Sequence, residues 1–469
     1  MESSSKPELR RRAARLRGLG QLEINMLSGP VMRGVNVAIV LVSYPAYLHA
    51  LGFERYGLWL VLSTVLMLSQ LGNLGIVQAL AKVVAEEYAA GDILAVRQYS
   101  TAAAAALAVS GLLAFGATLF LRGPIVQLLG LSGDNAALAR QFLPWCGALS
   151  AYVFVSDAQT NVLGGLGRMD LVNGLQTLAQ AVSVAAGIYL LHCKAGVAGL
   201  LAAAMASRLL QHGLALILIW RLLRAPVFTL APISRVRLRR LGSLCSGLFA
   251  STAVNLLLTP FNRLAIARCV GVEAVPVYEI AYNGAMQIRS LLSAGSSALL
   301  PEISRLRASS SAAAAVRAIS RLTRRSTRLL LVFGVPLYAV VFAVSRPLLR
   351  LWLHGSLQSG QADAFDIMLA GSFVSLLGTV PYYSLLGLHY SRQVLYGYLV
   401  QSSVNIAGIG AMWLWTSSIR LSTVLIATSA AMGASTLFLA WANRQAIAAI
   451  APRRRETAPL APLAATENS

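Results

Sequence analysis

Residues 27–45 read LSGPVMRGVNVAIVLVSYP, and after a short step residues 51–59 read LGFERYGLW. About 219 residues later, 245–263 read CSGLFASTAVNLLLTPFNR and 270–280 read VGVEAVPVYEI. Ser28-Gly29 falls over Ser246-Gly247, Gly52 over Gly271, Glu54 over Glu273, and Tyr56 over Tyr278 after a short insertion. Further on, IVQALAKVVAE (76–86) falls over the stretch that includes SSALLPEISRL (296–306), and the spacing of 219 pairs Ala79 with Ala298. Several matches at one spacing predict an internal repeat. The halves run over 27–225 and 242–445, joined by a basic linker at 226–241, with a basic segment at 1–26 and a polar, Pro/Ala-rich tail at 446–469 that reads as disordered.

What each half is made of follows from composition. The 469 residues are 57% hydrophobic and 12% charged, with a mean hydropathy of +0.67. Soluble domains carry about 25% charged residues, so the chain reads as an all-α polytopic membrane protein. Apolar runs long enough to cross a bilayer recur about twelve times, near 27–50, 56–79, 98–121, 143–164, 171–192, 196–220, 243–267, 274–299, 328–349, 364–388, 393–415 and 419–441. Six per half returns the chain to the starting side, so the two six-helix bundles are expected to be related by a parallel internal repeat about an axis along the membrane normal.

The net charge of +22 does not point to nucleic acid, because its distribution follows topology. With both termini cytoplasmic, inside segments hold 27 of the 39 Lys and Arg, as the positive-inside rule requires. The clusters Arg10 to Arg12, Arg235 to Arg240 and Arg453 to Arg455 read as topology signals and anchors for anionic membrane lipids. The four cysteines lie far apart, with no CxxC spacing, and support neither a disulfide framework nor a metal site. There is no P-loop, HExxH or nucleophile elbow, and the five histidines are scattered. A transporter without a catalytic residue, cofactor or metal is expected, rather than an enzyme.

Arg33, Arg263 and Arg289 lie inside expected spans, where a charge costs about 2.5–3.5 kcal/mol on insertion scales and persists facing a cavity or a partner. In the first span Arg33, Asn36, Val40, Tyr44 and Tyr47 share a face; in the seventh Asn255, Thr259, Asn262 and Arg263 do so. In the eighth, Tyr278, Tyr282, Ala285 and Arg289 form a stripe with Glu279 and Asn283 beside it. Spans one and two correspond to seven and eight in the repeat, so these faces are expected to meet between the halves. A guanidinium suits phosphate through its planar donor fork, and Tyr and Asn suit sugar hydroxyls and rings. The candidate lumen for a phosphate- and sugar-bearing ligand is therefore Arg289, Arg33, Arg263, Arg208, Asn36, Asn255, Asn262, Tyr278, Tyr282 and Asn283. Arg33 and Arg263 are also within snorkelling reach of an interface, and Arg208 beside Gln211 and His212 equally suits a structural ion pair. Of the membrane carboxylates, Asp157 and Glu279 are candidates for a coupling H⁺ or Na⁺, and Asp366 suits an interfacial structural role. Glu279 lies ten residues before Arg289, too far for a pair within the helix, so its partner is expected on another helix.

GFERYGLWLVLSTV (52–65), QLGNLGIVQALAKVVAE (70–86), NRLAIARCVGVEAVPVYEIAY (262–282) and LLPEISRLRA (299–308) resemble the polysaccharide flippases, of O-antigen and exopolysaccharide type, in the MATE-like multidrug/oligosaccharidyl-lipid/polysaccharide exporter superfamily. The resemblance covers about residues 20–445 and implies two bundles around a cationic lumen. It implies movement of undecaprenyl-pyrophosphate-linked oligosaccharide from the cytoplasmic to the outer leaflet of a bacterial inner membrane, for lipopolysaccharide or exopolysaccharide synthesis. A polysaccharide polymerase and chain-length machinery are implied partners, and the pyrophosphate maps to Arg33 and Arg289 with Arg263 in support. Two departures narrow the reading. Drug exporters of the superfamily carry an acid in the first span, where this chain has Arg33, and lipid II flippases add two C-terminal helices after a core like this one. The alternatives are a drug/cation antiporter and a non-transporting membrane scaffold for polysaccharide assembly.

Overall fold

The computed structural model describes residues 5–450 except 74, 294, 297–298, 310–311, 354–359 and 417–418; for 5–27, 30, 69–70, 246–257, 301, 308–309, 312 and 416 it describes the backbone alone. Among the described residues every regular element is helical. The first half holds α1 (Ser5–Ser69), a 3-10 turn (Gln70–Asn73), α2 (Ile76–Ala89), α3 (Ile93–Phe120), α4 (Arg122–Leu128), α5 (Gly133–Gly165), α6 (Met169–His192) and α7 (Gly196–Leu223). The second holds α8 (Arg235–Cys269), α9 (Ala274–Ser293), α10 (Leu299–Ser309), α11 (Ala312–Trp352), α12 (Gln361–Leu377), α13 (Thr379–Gly387), α14 (Ser391–Thr416) and α15 (Leu421–Ile450).

Each of the twelve apolar stretches falls mostly or wholly on these helices. Seven segments among the described residues are by themselves long and apolar enough to cross a membrane, the first running from Val31 to Asn73 across two expected spans. The stretches on α5, α8, α9 and α14 are not among the seven. Three of those helices carry the polar residues Asp157, Glu279 with Arg289, and Asn405, which dilute an otherwise apolar run. Leu113, Phe120, Trp220, Leu437 and Trp441 are exposed, as suits helices whose outer faces meet hydrocarbon. The chain is a helical membrane protein.

The first two spans are one continuous assignment interrupted at Gly52, whose φ of 71° and ψ of 173° break the helix where the sequence turns between them. That left-handed φ needs a residue without a Cβ. Gly271, which the sequence aligns with Gly52, also has a positive φ, 132°.

In the first half α3 packs along α5, α5 along α7, and α6 against both α7 and α1; in the second, α12 and α14 both pack on α15, and α12 on α9. The halves are tied by α1 against α8 and α9, and by α2 against α8. One apolar core runs through that junction, from Leu58 and Leu62 on α1 through Ile266 on α8 and Ile280 on α9 to Leu425 on α15. At the junction a Cβ on Gly57 would lie 2.0 Å from the carbonyl oxygen of Val272, so α1 approaches the α8–α9 turn as closely as a backbone can.

Two of the linker's four arginines are held by protein rather than free for lipid: Arg237 donates to Asp92 at 2.8 Å and to Gln98 at 2.5 Å, and Arg240 pairs with Glu86 and Glu87, while Arg235 and Arg239 are exposed. Asp92 also caps α3, accepting from the amide of Ala95 at 2.8 Å. A linker folded back onto α2 and α3 finds protein carboxylates before it finds lipid headgroups. Part of it is already α8, and the first five residues of the expected tail are the end of α15. The side chains of Arg10 to Arg12, and residues 451–469 with Arg453 to Arg455, lie outside the described residues.

Candidate functional site

The polar faces of spans one, two, seven and eight do meet between the halves, in a closed network. Arg263 on α8 donates through Nε to Oε2 of Glu279 on α9 at 2.9 Å, and a second guanidinium nitrogen reaches Oε1. Its remaining nitrogen crosses to α1, donating to Ser63 Oγ at 3.0 Å and the Leu60 carbonyl at 3.4 Å. Asn283 donates to the Tyr44 hydroxyl at 2.7 Å and to Glu279. The side chains of Arg263 and Glu279 are 7% and 5% exposed, and Tyr44 is packed edge-on against Tyr56 and Trp352. Glu279 thus finds its partner on another helix. Arg263 faces a carboxylate and α1, and neither a lumen nor the interface.

Asn262, one residue before Arg263, is fully buried in the second half. It donates to the Tyr278 hydroxyl and to Thr428 Oγ1, both at 2.9 Å, and accepts from Asn405 at 2.6 Å. Tyr278 stacks on Tyr282 with ring centroids 5.6 Å apart. The group ties α8, α9, α14 and α15 together with its polar atoms satisfied, as burial in an apolar setting demands. Asn405 and Thr428 had no sequence signal beyond being lone polar residues on apolar helices.

A different setting lies inside the first half. A cavity of about 600 Å³ opens between α1, α5, α6 and α7, lined by Asn36, Asp157, Gln176, Gln180, Arg208 and Gln211 among others. Arg208 donates to Asp157 at 3.0 Å and to Gln211 at 3.1 Å, and Asn36 donates to Thr177 at 3.1 Å. Here the ion pair is wet: the two side chains are 33% and 27% exposed. Carboxamides and hydroxyls around one ion pair make a surface suited to hydroxyl-rich ligands, because each offers a donor and an acceptor. Gln176, Gln180 and Ser183 recur at i, i+4 and i+7 on α6, a spacing that marks one helix face and was open to reading from sequence.

Of the four arginines named for the candidate lumen, Arg208 and Arg263 are therefore neutralised in place. Arg289 and Arg33 have no carboxylate partner among the described residues. Arg33 is exposed near the start of the first span. Arg289 is half-buried on α9, two turns past Tyr282; its Nε is buried without a hydrogen-bond partner. A half-buried cation with an unused donor is arranged to receive an anion. Asp366 on α12 has a buried carboxylate oxygen without a partner among the described residues. The side chain of Asn255 lies outside the described residues. No cluster of three His, Cys, Asp or Glu that would hold a metal occurs among the described residues.

Residues 25–307 match the family described as polysaccharide biosynthesis protein. The chain belongs to that family. No curated protein matches the sequence. Solved structures do resemble the polysaccharide biosynthesis chain in fold. One is a multidrug resistance MATE family transporter of the MOP superfamily in an inward-facing conformation, 15% identical over 92% of this chain and 98% of that one, with a TM-score of 0.72. The lipid II flippase MurJ in an inward closed conformation is 12% identical over 91% and 89%, with a TM-score of 0.71. A MOP superfamily transporter from Pyrococcus furiosus, described by the reverse polarity of its binding pocket, is 15% identical over 92% and 96%, with a TM-score of 0.65. These likenesses speak for the fold.

Proposed function

We propose that this member of the polysaccharide biosynthesis family flips a polyprenyl-pyrophosphate-linked oligosaccharide from the cytoplasmic to the outer leaflet of the inner membrane. Twelve crossings in two six-helix halves rock between inward-open and outward-open states, with both termini cytoplasmic. The observation that carries the reading is Arg289, a half-buried cation with an unused donor and no carboxylate partner among the described residues. A pyrophosphate supplies the missing charge and acceptors, with Arg33 as the second cation nearer the cytoplasmic mouth. The polar cavity around Asp157 and Arg208 takes the glycan, and the lipid tail stays in the bilayer.

The Arg263–Glu279–Asn283–Tyr44 network closes the outer end between the halves in this state, and must part for the outward-open one. Asp157 is the carboxylate open to a coupling H⁺ or Na⁺, since its pair with Arg208 borders a cavity, whereas Glu279 is enclosed. A drug/cation antiporter fits less well, because the first span offers Arg33 in place of an acid.

Arg289→Gln tests the reading. Surface-polysaccharide assembly in cells carrying only the variant is expected to fall at least about tenfold, the worth of one charge-assisted contact. Membrane level and melting temperature should be unchanged, and Arg289→Lys should recover part of the activity. Normal assembly by Arg289→Gln would remove the phosphate role.

A further inference from the structure

A second cationic site lies outside the bundle interior, on the face formed by α11, α13 and α15. Arg317, Arg321, Arg324 and Arg328 recur at i, i+4, i+7 and i+11, so they form one stripe along the first turns of α11. From Leu329 to Ser345 the same helix carries no charge and exposes Val332, Phe333, Val340 and Phe342, a length of about 24 Å at 1.5 Å per residue, with the exposed Arg346 and Arg350 beyond its far end. Long arginine side chains at both ends reach outward, so the run suits a hydrocarbon core of about 30 Å and places Arg324 and Arg328 in the headgroup layer at one edge of it. On α15 the exposed apolar residues Leu437 and Trp441 are followed by Arg444, one turn beyond an aromatic of the kind that marks the interface. The two helices bring their arginines to the same depth.

Between them is a groove of about 930 Å³. Arg324, Arg328 and Arg444 lie midway along it, with Val316, Ser320 and Ile447 on one side of them and Leu331, Leu377 and Leu437 on the side towards the hydrocarbon. None of the three arginines has a carboxylate partner among the described residues, although elsewhere Arg208, Arg237, Arg240 and Arg263 have all found one. Asn443 also lines the groove, 7% exposed, with its Oδ1 buried and without a hydrogen-bond partner.

We propose that this groove binds an anionic phospholipid, its phosphate against Arg324, Arg328 and Arg444, its headgroup hydroxyls at Asn443, and one acyl chain along Leu331, Leu377 and Leu437. Three uncompensated guanidinium groups at headgroup depth select a phosphate, and the apolar groove continuing below them selects one that carries a chain. A soluble phosphate satisfies only the first half of this description.

The test uses the full-length protein in detergent micelles, titrated with phosphatidylglycerol or with phosphatidylcholine of the same acyl chains, with bound lipid counted by native mass spectrometry. Phosphatidylglycerol should be retained at least about tenfold more strongly than phosphatidylcholine, given the pull of each interfacial arginine on an anionic headgroup. R324Q/R444Q should lose most of that preference. R235Q/R239Q, which removes the same charge from exposed positions on the linker, should keep it. Ala440→Trp fills the groove without touching a charge and should weaken phosphatidylglycerol by a similar factor. Retention unchanged in both R324Q/R444Q and Ala440→Trp overturns the site. So does protection of the native protein by inorganic phosphate or glycerol phosphate to the extent given by the lipid, which would make the arginines a plain anion site.

Discussion

Two of the protein's arginine–carboxylate pairs, Arg263–Glu279 and Arg208–Asp157, are built from the same kinds of group and placed in opposite surroundings. Arg263 and Glu279 are sealed at the junction of the halves, 7% and 5% exposed, and every guanidinium nitrogen has an acceptor. Arg208 and Asp157 sit on the wall of a cavity, 33% and 27% exposed, with a single contact between them and Gln211 beside. In the first pair, solvent cannot replace either partner, so loss of one leaves a charge with nothing to answer it. In the second, water and ligand compete with the pair at every moment. The same chemistry therefore serves cohesion in one place and exchange in the other.

The largest effect that separates them is predicted for Glu279. Replacing it with Gln leaves Arg263 buried and uncompensated, a change that costs about 3–5 kcal/mol in dry sites. Thermal unfolding of the purified variant should show a large fall in melting temperature, or the protein should fail to accumulate. Arg263→Met combined with Glu279→Met should regain much of the loss, because an apolar pair of similar volume removes both desolvation costs. If Glu279→Gln melts like the parent, the junction pair is as wet as the cavity pair and the contrast fails.

The junction has a second constraint that does not depend on charge. A Cβ at position 57 would stand 2.0 Å from the Val272 carbonyl oxygen, so Gly57→Ala must push α1 away from the α8–α9 turn. Overpacking of this kind costs about 1–3 kcal/mol, less than the unpaired charge. The variant should melt at lower temperature, and cross-linking between cysteines placed on α1 and α8 should slow. An unchanged melt would mean that the halves are free to separate by the width of a methyl group in this state.

The difference between the two pairs was only half legible in the sequence. Apolar runs located the helices, and the gap between the first two runs holds Gly52, where the helix breaks, because length and a missing Cβ are local properties. The spacing within α9 showed that Glu279 needs a partner on another helix. Which arginine that is depends on how α8 turns against α9, and no periodicity within one helix carries that. Arg263 consequently reads as a lumenal cation and is found in a sealed ion pair, Arg208, for which the sequence leaves a lumenal and a paired role equally open, is found in a pair on a cavity wall, and Arg289 has no carboxylate partner among the described residues. Asn405 and Thr428, the partners of Asn262, lie 143 and 166 residues away in the chain and could only be found once α14 and α15 were packed. The linker shows the same limit, since the acids that hold Arg237 and Arg240 belong to α2 and α3.

The smallest effect on stability, and the sharpest on function, is predicted at Asp157. Partly exposed pairs contribute about 0–1 kcal/mol, so Asp157→Asn should melt within a few degrees of the parent. Loss of the carboxylate frees Arg208 in the cavity wall and removes the one carboxylate lining the cavity among the described residues. If the cavity serves exchange, polysaccharide assembly should fall severalfold in Asp157→Asn while folding is spared, and Arg208→Gln should give a distinct phenotype because it keeps the carboxylate and removes its restraint. Should Asp157→Asn instead unfold the protein, the wet pair is doing the work of the dry one, and the division between the two regions would have to be drawn elsewhere. If both folding and assembly are untouched, the cavity pair is an incidental surface contact, and the exchange role passes to Arg289 alone.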